Sequence, residues 1–421
     1  MQTRLPAALL ATERGQQADA ILRSCVHCGF CTATCPTYLA TGDERDGPRG
    51  RIYLIKAMLE DEPVSAHTQR HLDRCLTCRA CETTCPSGVE YSQLLDIGRD
   101  EVERRVGRRG WPGLQRRLLR WWLPYPRRLR PLLRVAHGLA PLLPTPLRAK
   151  LPPLPKPLPA VTITAPTTTM LLLEGCVQSV ATPATNHALR RVLARQGVAL
   201  VVAQGSGCCG ALSHHLDGGE QARDFMRRNI DAWWPHIEQG VGAILVSASG
   251  CGAELKRYGE LLRLDSRYAE RAARIAALVK DPCEVIDIEQ VKRSAVPPSV
   301  KRVALHTPCT LQHGLHLGGR IEPLLSAAGY QLTPVRDGHL CCGSAGTYSL
   351  LQPAMAAQLQ ADKLAALQAA LPDCIATANV GCQLHLAAAS SVPVVHWLQL
   401  LAGDAVVAMP LANVTPPTLS P

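Results

Sequence analysis

Length, composition and charge exclude several classes of protein. The chain has 421 residues, of which 47% are hydrophobic and 4% aromatic, and its formal net charge is +11. This length suffices for two or three domains with buried cores. Eighteen cysteines in so long a chain do not fit a small secreted disulfide scaffold. No N-terminal secretion signal and no apolar run long enough to span a bilayer is present. We therefore expect reduced, metal-binding cysteines in a cytoplasmic protein.

Two cysteine runs with one spacing lie in the first hundred residues. Both read C-x2-C-x2-C-x3-C-P, the spacing of bacterial ferredoxins, in which the fourth cysteine serves the other cluster. We therefore predict two [4Fe–4S] clusters with crossed ligands. One is held by Cys25, Cys28, Cys31 and Cys85, and the other by Cys75, Cys78, Cys81 and Cys35. A zinc site or a disulfide framework is the alternative, but zinc does not need three cysteines at two successive x2 spacings.

The segment between the two runs is longer than in a minimal ferredoxin. Its glycines and a proline predict a loop over 42–51, and apolar residues at helical spacing predict a helix over 52–59. Arg49 and Arg51 either lie beside a cluster or face a partner, and the alternative is a solvated loop. A further helix is predicted over 91–109.

A basic segment follows the second run. Residues 104–150 contain 13 Lys or Arg and no Asp or Glu, whereas the rest of the chain carries 32 basic and 34 acidic residues. Its tryptophans, leucines and paired arginines suit an anionic membrane surface, where each nearby basic residue contributes roughly 1 kcal/mol. The alternatives are docking of another subunit, a solvated linker, and nucleic acid, for which no motif is present. Prolines are expected to cut this segment into short pieces before a stiff spacer at 151–159.

The remainder of the chain is an internal repeat. In each copy 31 residues separate a first cysteine from a Cys-Cys-Gly triplet, and a Gly-Cys pair follows about 40 residues later. The repeated cysteines are Cys176, Cys208, Cys209 and Cys251 in the first copy and Cys309, Cys341, Cys342 and Cys382 in the second. Three strands alternate with helices in each copy, which predicts a parallel α/β sheet with every repeated cysteine at a strand-to-helix turn.

The repeated cysteines are interpreted as a possible third redox or cluster site. The alternative is that they are buried small apolar residues, because free cysteine is often buried. Cys283 and Cys374 have no repeat partner and are expected in the core. Four histidines near the second cysteine set are expected beside the site or on the surface rather than as ligands. They are His306, His313, His339 and His385.

The predicted fold combines an α region with α/β repeats. A mainly helical two-cluster ferredoxin domain, 1–103, is followed by a basic connecting segment, 104–165. The two Cys-Cys-Gly repeats then occupy 166–295 and 296–405, and 406–421 form a C-terminal tail.

These features resemble a group of iron–sulfur proteins. The group includes the iron–sulfur subunits of bacterial glycolate oxidase and anaerobic glycerol-3-phosphate dehydrogenase, lactate-utilisation proteins and heterodisulfide reductase subunits. The chain is most similar to the glycolate oxidase iron–sulfur subunit family, through the two runs, the loop at 46–51 and Thr307-Pro308-Cys309. The resemblance covers about 25–397. It implies two [4Fe–4S] clusters that relay electrons from FAD-containing flavoprotein subunits, which oxidise glycolate to glyoxylate, toward a membrane or quinone acceptor.

The chain departs from the heterodisulfide reductase pattern at one place. That pattern closes each repeat with C-x2-C, whereas this chain has Glu254 and His385 where the last cysteine is expected. This departure argues against disulfide reduction. The resemblance still leaves a disulfide-reducing catalytic subunit as an alternative, together with a subunit of a lactate or glycerol-3-phosphate dehydrogenase.

The resemblance also sets expectations for activity, partners and location. No nucleotide-binding G-x-G-x-x-G follows a predicted strand, so the chain is expected to have no catalytic residue of its own. We expect it to act only within an oxidoreductase complex with a non-nicotinamide acceptor. The expected partners are flavoprotein subunits and a membrane surface or quinone, without nucleic acid. The expected location is the cytoplasm, peripheral on the inner face of the cytoplasmic membrane.

Overall fold

The fold is that of a computed structural model. It describes residues 1–142, 148, 151–152, 154–155, 157–161, 163, 166–294 and 300–406. Parts of the predicted proline-rich spacer and all but the first residue of the predicted C-terminal tail lie outside the described residues.

The N-terminal region is helical, as its apolar periodicity predicts. Its helices are Ala7–Leu10, Glu13–Ser24, Pro36–Thr41, Pro48–Leu59, Ala66–Asp73, Ala80–Thr83 and Tyr91–Val106, with short 3-10 turns at Phe30–Thr32 and Glu44–Asp46. Pro48 occupies the first turn of its helix, where a missing N–H costs nothing. Ile55 and Leu94 are fully buried between the long helices. A Cβ on Gly98 would lie 2.6 Å from Ile55 Cγ1, so these helices pack through a glycine contact.

The basic segment forms two helices, Trp111–Trp122 and Pro126–Gly138. The prediction of short pieces is wrong here. Pro112 and Pro126 lie in the first turns of these helices and do not interrupt them, and Pro131 is accommodated inside the second. Leu129 is buried, whereas Trp111 and Trp121 are exposed.

Each repeat contains a four-stranded, fully parallel sheet. The strands of the first are β1 (Thr168–Leu172), β2 (Val198–Val201), β3 (Ile244–Leu245) and β4 (Val279–Lys280), in the order β2-β1-β3-β4. Those of the second are β5 (Arg302–His306), β6 (Gln331–Leu332), β7 (Cys374–Thr377) and β8 (Val394–His396), in the order β6-β5-β7-β8. The predicted fold class is confirmed, and the fourth strand of each sheet is an addition to the prediction.

The helices that connect the strands cover both sheets. In the first repeat they are Gln178–Ala181, Pro183–Ala194, Ala211–His214, Gly219–Glu238, Ser249–Lys256, Tyr258–Leu261, Ala269–Leu278 and Ile288–Arg293. In the second they are Ile321–Ala327, Tyr348–Leu351, Pro353–Gln368, Val380–Ala387 and Trp397–Ala402, with a π-turn at Thr310–Gly314. One apolar core joins the repeats, and Leu189 of the first and Leu400 of the second belong to it. His396 Nε2 also lies 2.9 Å from the Ser247 carbonyl oxygen, so the two sheets are held together near their carboxyl ends. Cys283 and Cys374 are buried, as predicted.

Candidate functional site

Each cysteine run bends around its own centre through two residues in the left-handed region. These are His27 (φ 58°) and Gly29 (φ 84°) in the first run and Thr77 (φ 54°) and Arg79 (φ 63°) in the second. In both runs they stand two residues after the first cysteine and directly after the second. Positive φ is uncommon outside glycine, so its recurrence at matching positions indicates that the two runs fold as copies.

Two small cavities lie against the runs. The lining of each includes three cysteines of one run and the last cysteine of the other, and Cys81 lines the first cavity as well. The first cavity is lined by Cys25, Cys28, Cys31 and Cys85, and the second by Cys75, Cys78, Cys81 and Cys35. Pro48, Cys81 and Tyr91 line both cavities, so the two centres are neighbours. The crossed arrangement that the spacing predicts stays a prediction, and it is taken up below on the basis of these two cavities.

The donor atoms around these cavities suit iron–sulfur clusters. Cysteine thiolates are the usual ligands of such clusters. Among the described residues, no three of these eight sulfur atoms lie within 4.8 Å of one another. The distances between the sulfur atoms are therefore larger than one tetrahedral ion requires. Burial, together with the nearby thiol of Cys25, raises the pKa of Cys31 to about 11. Cluster assembly would therefore displace thiol protons.

The two cavities differ in their access to solvent. Cys28, at the first cavity, is exposed, and Val26 and Phe30 beside it are 67% and 62% exposed. Cys35, Cys75 and Cys81, at the second, are buried. The first centre therefore faces the surface and the second faces the interior.

A buried charge network adjoins the second cavity. Arg51 is 1% exposed and donates to the His71 carbonyl oxygen at 2.8 Å. Asp46 lies 3.7 Å from Arg51, 2.8 Å from His71 Nδ1 and 2.7 Å from Arg74. Burial opposes the charge of Arg51, but Cys75 and other anionic groups outweigh burial and raise its pKa. Both arginines singled out in the sequence lie beside a cluster cavity, Arg51 at the second and Arg49 at the first. Arg49 is also partly exposed and pairs with Glu44 at 2.6 Å.

The second cavity lies against the second repeat. Cys78 belongs to a small apolar cluster with Cys309, Cys341 and Tyr348. The Tyr348 hydroxyl donates to the Arg74 carbonyl oxygen at 3.1 Å. The inner centre is therefore in direct contact with cysteines of the Cys-Cys-Gly repeat.

The four repeated cysteines of each copy form a chain of neighbouring thiols. In the first copy, Cys208 has Cys176 and Cys209 as its thiol neighbours, and Cys209 has Cys208 and Cys251. The second copy has the same order, from Cys309 through Cys341 and Cys342 to Cys382. The Cys309 and Cys341 sulfur atoms are 3.9 Å apart. The hydrogen bond to Cys341, together with burial, raises the pKa of Cys309. The structure thus brings together the cysteines of each copy, as two separate groups.

Among the four histidines, His306 lies beside the second cysteine set. It is 2% exposed, and burial lowers its pKa to about 3. One of its ring nitrogens and the thiols of Cys342 and Cys382 all lie within 4.8 Å of one another. His313 instead contacts Thr83 Oγ1 of the second run at 2.9 Å, and His385 lines the cavity described next.

A cavity of about 420 Å³ lies where the helical region and both repeats meet. It is lined by residues of every part of the chain, including Cys75, Cys176, Cys251, Cys309 and Cys382. Helix Pro126–Gly138 contributes Leu129 and Leu133 to its wall. Most of the lining is apolar, which is typical of a ligand site. No sequence pattern indicated this cavity, because it forms only when distant segments pack.

In the first repeat, Glu254 stands where the C-x2-C pattern has its last cysteine. It belongs to an ion network between the helical region and this repeat. Glu254 lies 2.8 Å from His214 Nδ1, and Asp96 of helix Tyr91–Val106 lies 2.7 Å from Arg257. Burial opposes the charge of His214, but Glu254 and Asp96 outweigh burial and raise its pKa to about 9. Glu254 thus takes part in domain packing.

Comparison with known proteins places these features in a family context. The sequence profile of the 4Fe-4S dicluster domain matches residues 21–89, and that of the cysteine-rich domain matches 170–256 and 303–387. The glycolate oxidase iron-sulfur subunit of Escherichia coli strain K12 is 50% identical over 404 residues, or 95% of this chain and 98% of that protein. The probable glycolate oxidase iron-sulfur subunit of Bacillus subtilis strain 168 is 32% identical, over 87% of this chain and 88% of that protein.

A more distant relative has another activity in its name. It is a fumarate reductase (CoM/CoB) subunit of Methanothermobacter marburgensis, 26% identical over 380 residues, which cover 87% of this chain and 67% of that protein. The predicted iron–sulfur cofactors and the resemblance to a known family are confirmed by these matches. In the described part of the chain, no helix has the length and apolar character needed to cross a bilayer.

Proposed function

We infer that this chain, which belongs to the family of glycolate oxidase iron–sulfur subunits, is the electron-transfer subunit of a glycolate-oxidising complex. The observation that carries the inference is the series of contacts between the exposed first cavity, the buried second cavity and the second repeat. Oxidation of glycolate to glyoxylate releases two electrons and two protons, and a flavin on a partner subunit accepts them. Iron–sulfur clusters then carry the electrons one at a time.

The two cavities support a crossed set of ligands. Cys25, Cys28, Cys31 and Cys85 would hold the outer [4Fe–4S] cluster, and Cys75, Cys78, Cys81 and Cys35 would hold the inner one. Tyr91 packs between both centres. The adjacent positions of the cavities support direct transfer between the clusters.

Electrons enter at the outer cluster. Val26 and Phe30 form an exposed apolar rim beside the exposed Cys28, and exposed aromatic residues of this kind commonly anchor protein interfaces. The partner that docks there is an FAD-containing flavoprotein subunit.

Electrons leave from the inner cluster. Cys75 lines both the inner cluster cavity and the larger apolar cavity, so an acceptor in the larger cavity would approach the inner cluster closely. A quinone head group fits the apolar wall formed in part by Leu129 and Leu133. The exposed Trp111, Arg117 and Trp121 of helix Trp111–Trp122 suit contact with an anionic membrane surface, and this supports a peripheral location on the inner face of the cytoplasmic membrane.

Reduction of the clusters by the flavoprotein subunits tests this function. Phe30→Asp should slow cluster reduction by glycolate at least roughly tenfold, because the change puts a charge into the apolar interface. Reduction of the same variant by dithionite should be unchanged. Leu264→Asp is the matched control, since Leu264 is a 73% exposed apolar residue of the first repeat. Equal glycolate-driven rates in both variants would refute the docking site, and clusters that glycolate never reduces in the assembled wild-type complex would refute the function.

A further inference from the structure

The second repeat contains a buried imidazole with one unused nitrogen. His306 ends strand β5, and its Nδ1 lies 2.9 Å from Thr377 Oγ1. Its Nε2 is buried and has no hydrogen-bond partner among the described residues. A buried polar atom without a partner costs about 1–3 kcal/mol and calls for an explanation. One ring nitrogen of His306 and the thiol sulfur atoms of Cys342 and Cys382 lie within 4.8 Å of one another.

We propose that His306, Cys342 and Cys382 bind a single tetrahedral metal ion, and that the ion is zinc. Imidazole and thiolate donors together favour zinc. The distances among the donor atoms of His306, Cys342 and Cys382 suit a single ion, because the cysteine sulfur atoms at the two cluster cavities lie farther apart. Thr377 holds the ring through Nδ1, as the outer partners of metal-bound histidines do. Cys341, which precedes Cys342 in the chain, or a water molecule would complete the tetrahedron.

The first repeat differs at this position. Leu173 stands three residues before Cys176, as His306 stands three residues before Cys309. Leu173 is buried and offers no donor atom to the neighbouring thiols of Cys209 and Cys251. Within the described residues, no group of three donors with metal-ligand spacing occurs in the first repeat. The proposed ion therefore belongs to the second repeat.

The ion would connect three segments of the second repeat. His306 comes from the end of β5, Cys342 from the Cys-Cys-Gly turn and Cys382 from helix Val380–Ala387. Cys341, next to Cys342, contacts the inner cluster region beside Cys78. The site would fix that contact, and zinc binding would release the protons of the two thiols. This role is independent of the source of the electrons.

Metal analysis of the full chain tests the site. The chain is purified anaerobically, and zinc and iron are measured together. Wild type should contain about one zinc in addition to its iron. His306→Leu, which copies the first repeat, and Cys382→Ser should each bind zinc at least roughly tenfold more weakly, while iron content is kept. Cys251→Ser, the matched change in the first repeat, should leave zinc unchanged.

Cobalt provides a second readout that does not depend on a stable variant. Co²⁺ added to zinc-depleted wild type should give thiolate-to-cobalt charge-transfer absorption, and prior addition of Zn²⁺ should abolish that absorption. Absence of zinc and of the cobalt spectrum would overturn the proposal. So would zinc retained in His306→Leu, or iron lost with that change, since iron loss would assign these residues to a cluster.

Discussion

The Tyr348 hydroxyl donates a hydrogen bond to the Arg74 carbonyl oxygen, 3.1 Å away. Arg74 immediately precedes the second cysteine run, and Tyr348 follows the Cys-Cys-Gly triplet of the second repeat. One contact therefore ties the inner cluster to the repeat. The Thr83–His313 contact, 2.9 Å long, is a second tie at the other end of the same run. Electron transfer from the inner cluster therefore depends on the packing of the helical region against the repeats.

Arg51 is expected to raise the reduction potential of the inner cluster. A buried positive charge beside Cys75 favours the reduced, more negative cluster. Arg51→Met should lower that potential, and it should also destabilise the fold, because Asp46 loses a buried partner. An EPR-monitored redox titration measures the potential. Arg49→Met is the control and should leave the inner cluster unchanged. An unchanged inner potential in Arg51→Met would contradict the electrostatic role.

Gly98 is expected to be intolerant of a side chain. Its added Cβ would meet the fully buried Ile55 at 2.6 Å, so Gly98→Leu should cost about 1–3 kcal/mol of stability by overpacking. No atom lies within 4 Å of the corresponding position at Gly138, which makes Gly138→Leu the control. Thermal unfolding should show a lower Tm for Gly98→Leu only. Equal Tm values would mean that the two helices are not in close contact.

The contact between the first repeat and helix Tyr91–Val106 should depend on pH. The pKa of His214 is raised to about 9 in the folded protein, so its stabilisation is complete below about pH 6.5 and is lost as the pH rises through about 9. The pKa of Glu254 is lowered to about 2 by His214, His215 and Arg257, which outweigh burial, and its contribution is lost as the pH falls toward that value. Thermal unfolding between pH 6 and about 10 should show the alkaline loss in wild type. His214→Gln should remove that slope, and a variant that keeps it would assign the loss to other groups.

The exposed face of helix Trp111–Trp122 is expected to bind anionic membranes. Trp111, Leu118 and Trp121 are 66%, 42% and 50% exposed, and changing all three to serine should weaken binding to phosphatidylglycerol vesicles by roughly tenfold or more. Vesicle co-sedimentation measures the effect. Neutral phosphatidylcholine vesicles and the variant Leu264→Ser serve as controls. Binding that survives the triple change would favour subunit docking by this segment.

Local sequence patterns predicted much of this structure because the cysteine runs and the helices depend on residues that are close together in the chain. Cysteine spacing located both runs, and the matching spacing of Cys176 and Cys309 revealed the repeat. The prolines were misleading because Pro112 and Pro126 begin helices, where their effect is favourable. The close approach of His306 to Cys342 and Cys382 and the central cavity were not predicted, for another reason. Their environment is built by segments far apart in the chain, and burial of one ring nitrogen has no signature in the sequence.

The crossed ligation of the two clusters is the central claim, and iron content combined with low-temperature EPR of Cys35→Ala tests it most directly. Wild type should contain about eight irons, four in each cluster. In Cys35→Ala, we expect loss of about half the iron and of the inner cluster's signal, while the outer cluster bound by Cys25, Cys28 and Cys31 remains. Loss of the outer cluster with retention of the inner one would contradict the crossed arrangement and the electron path built on it.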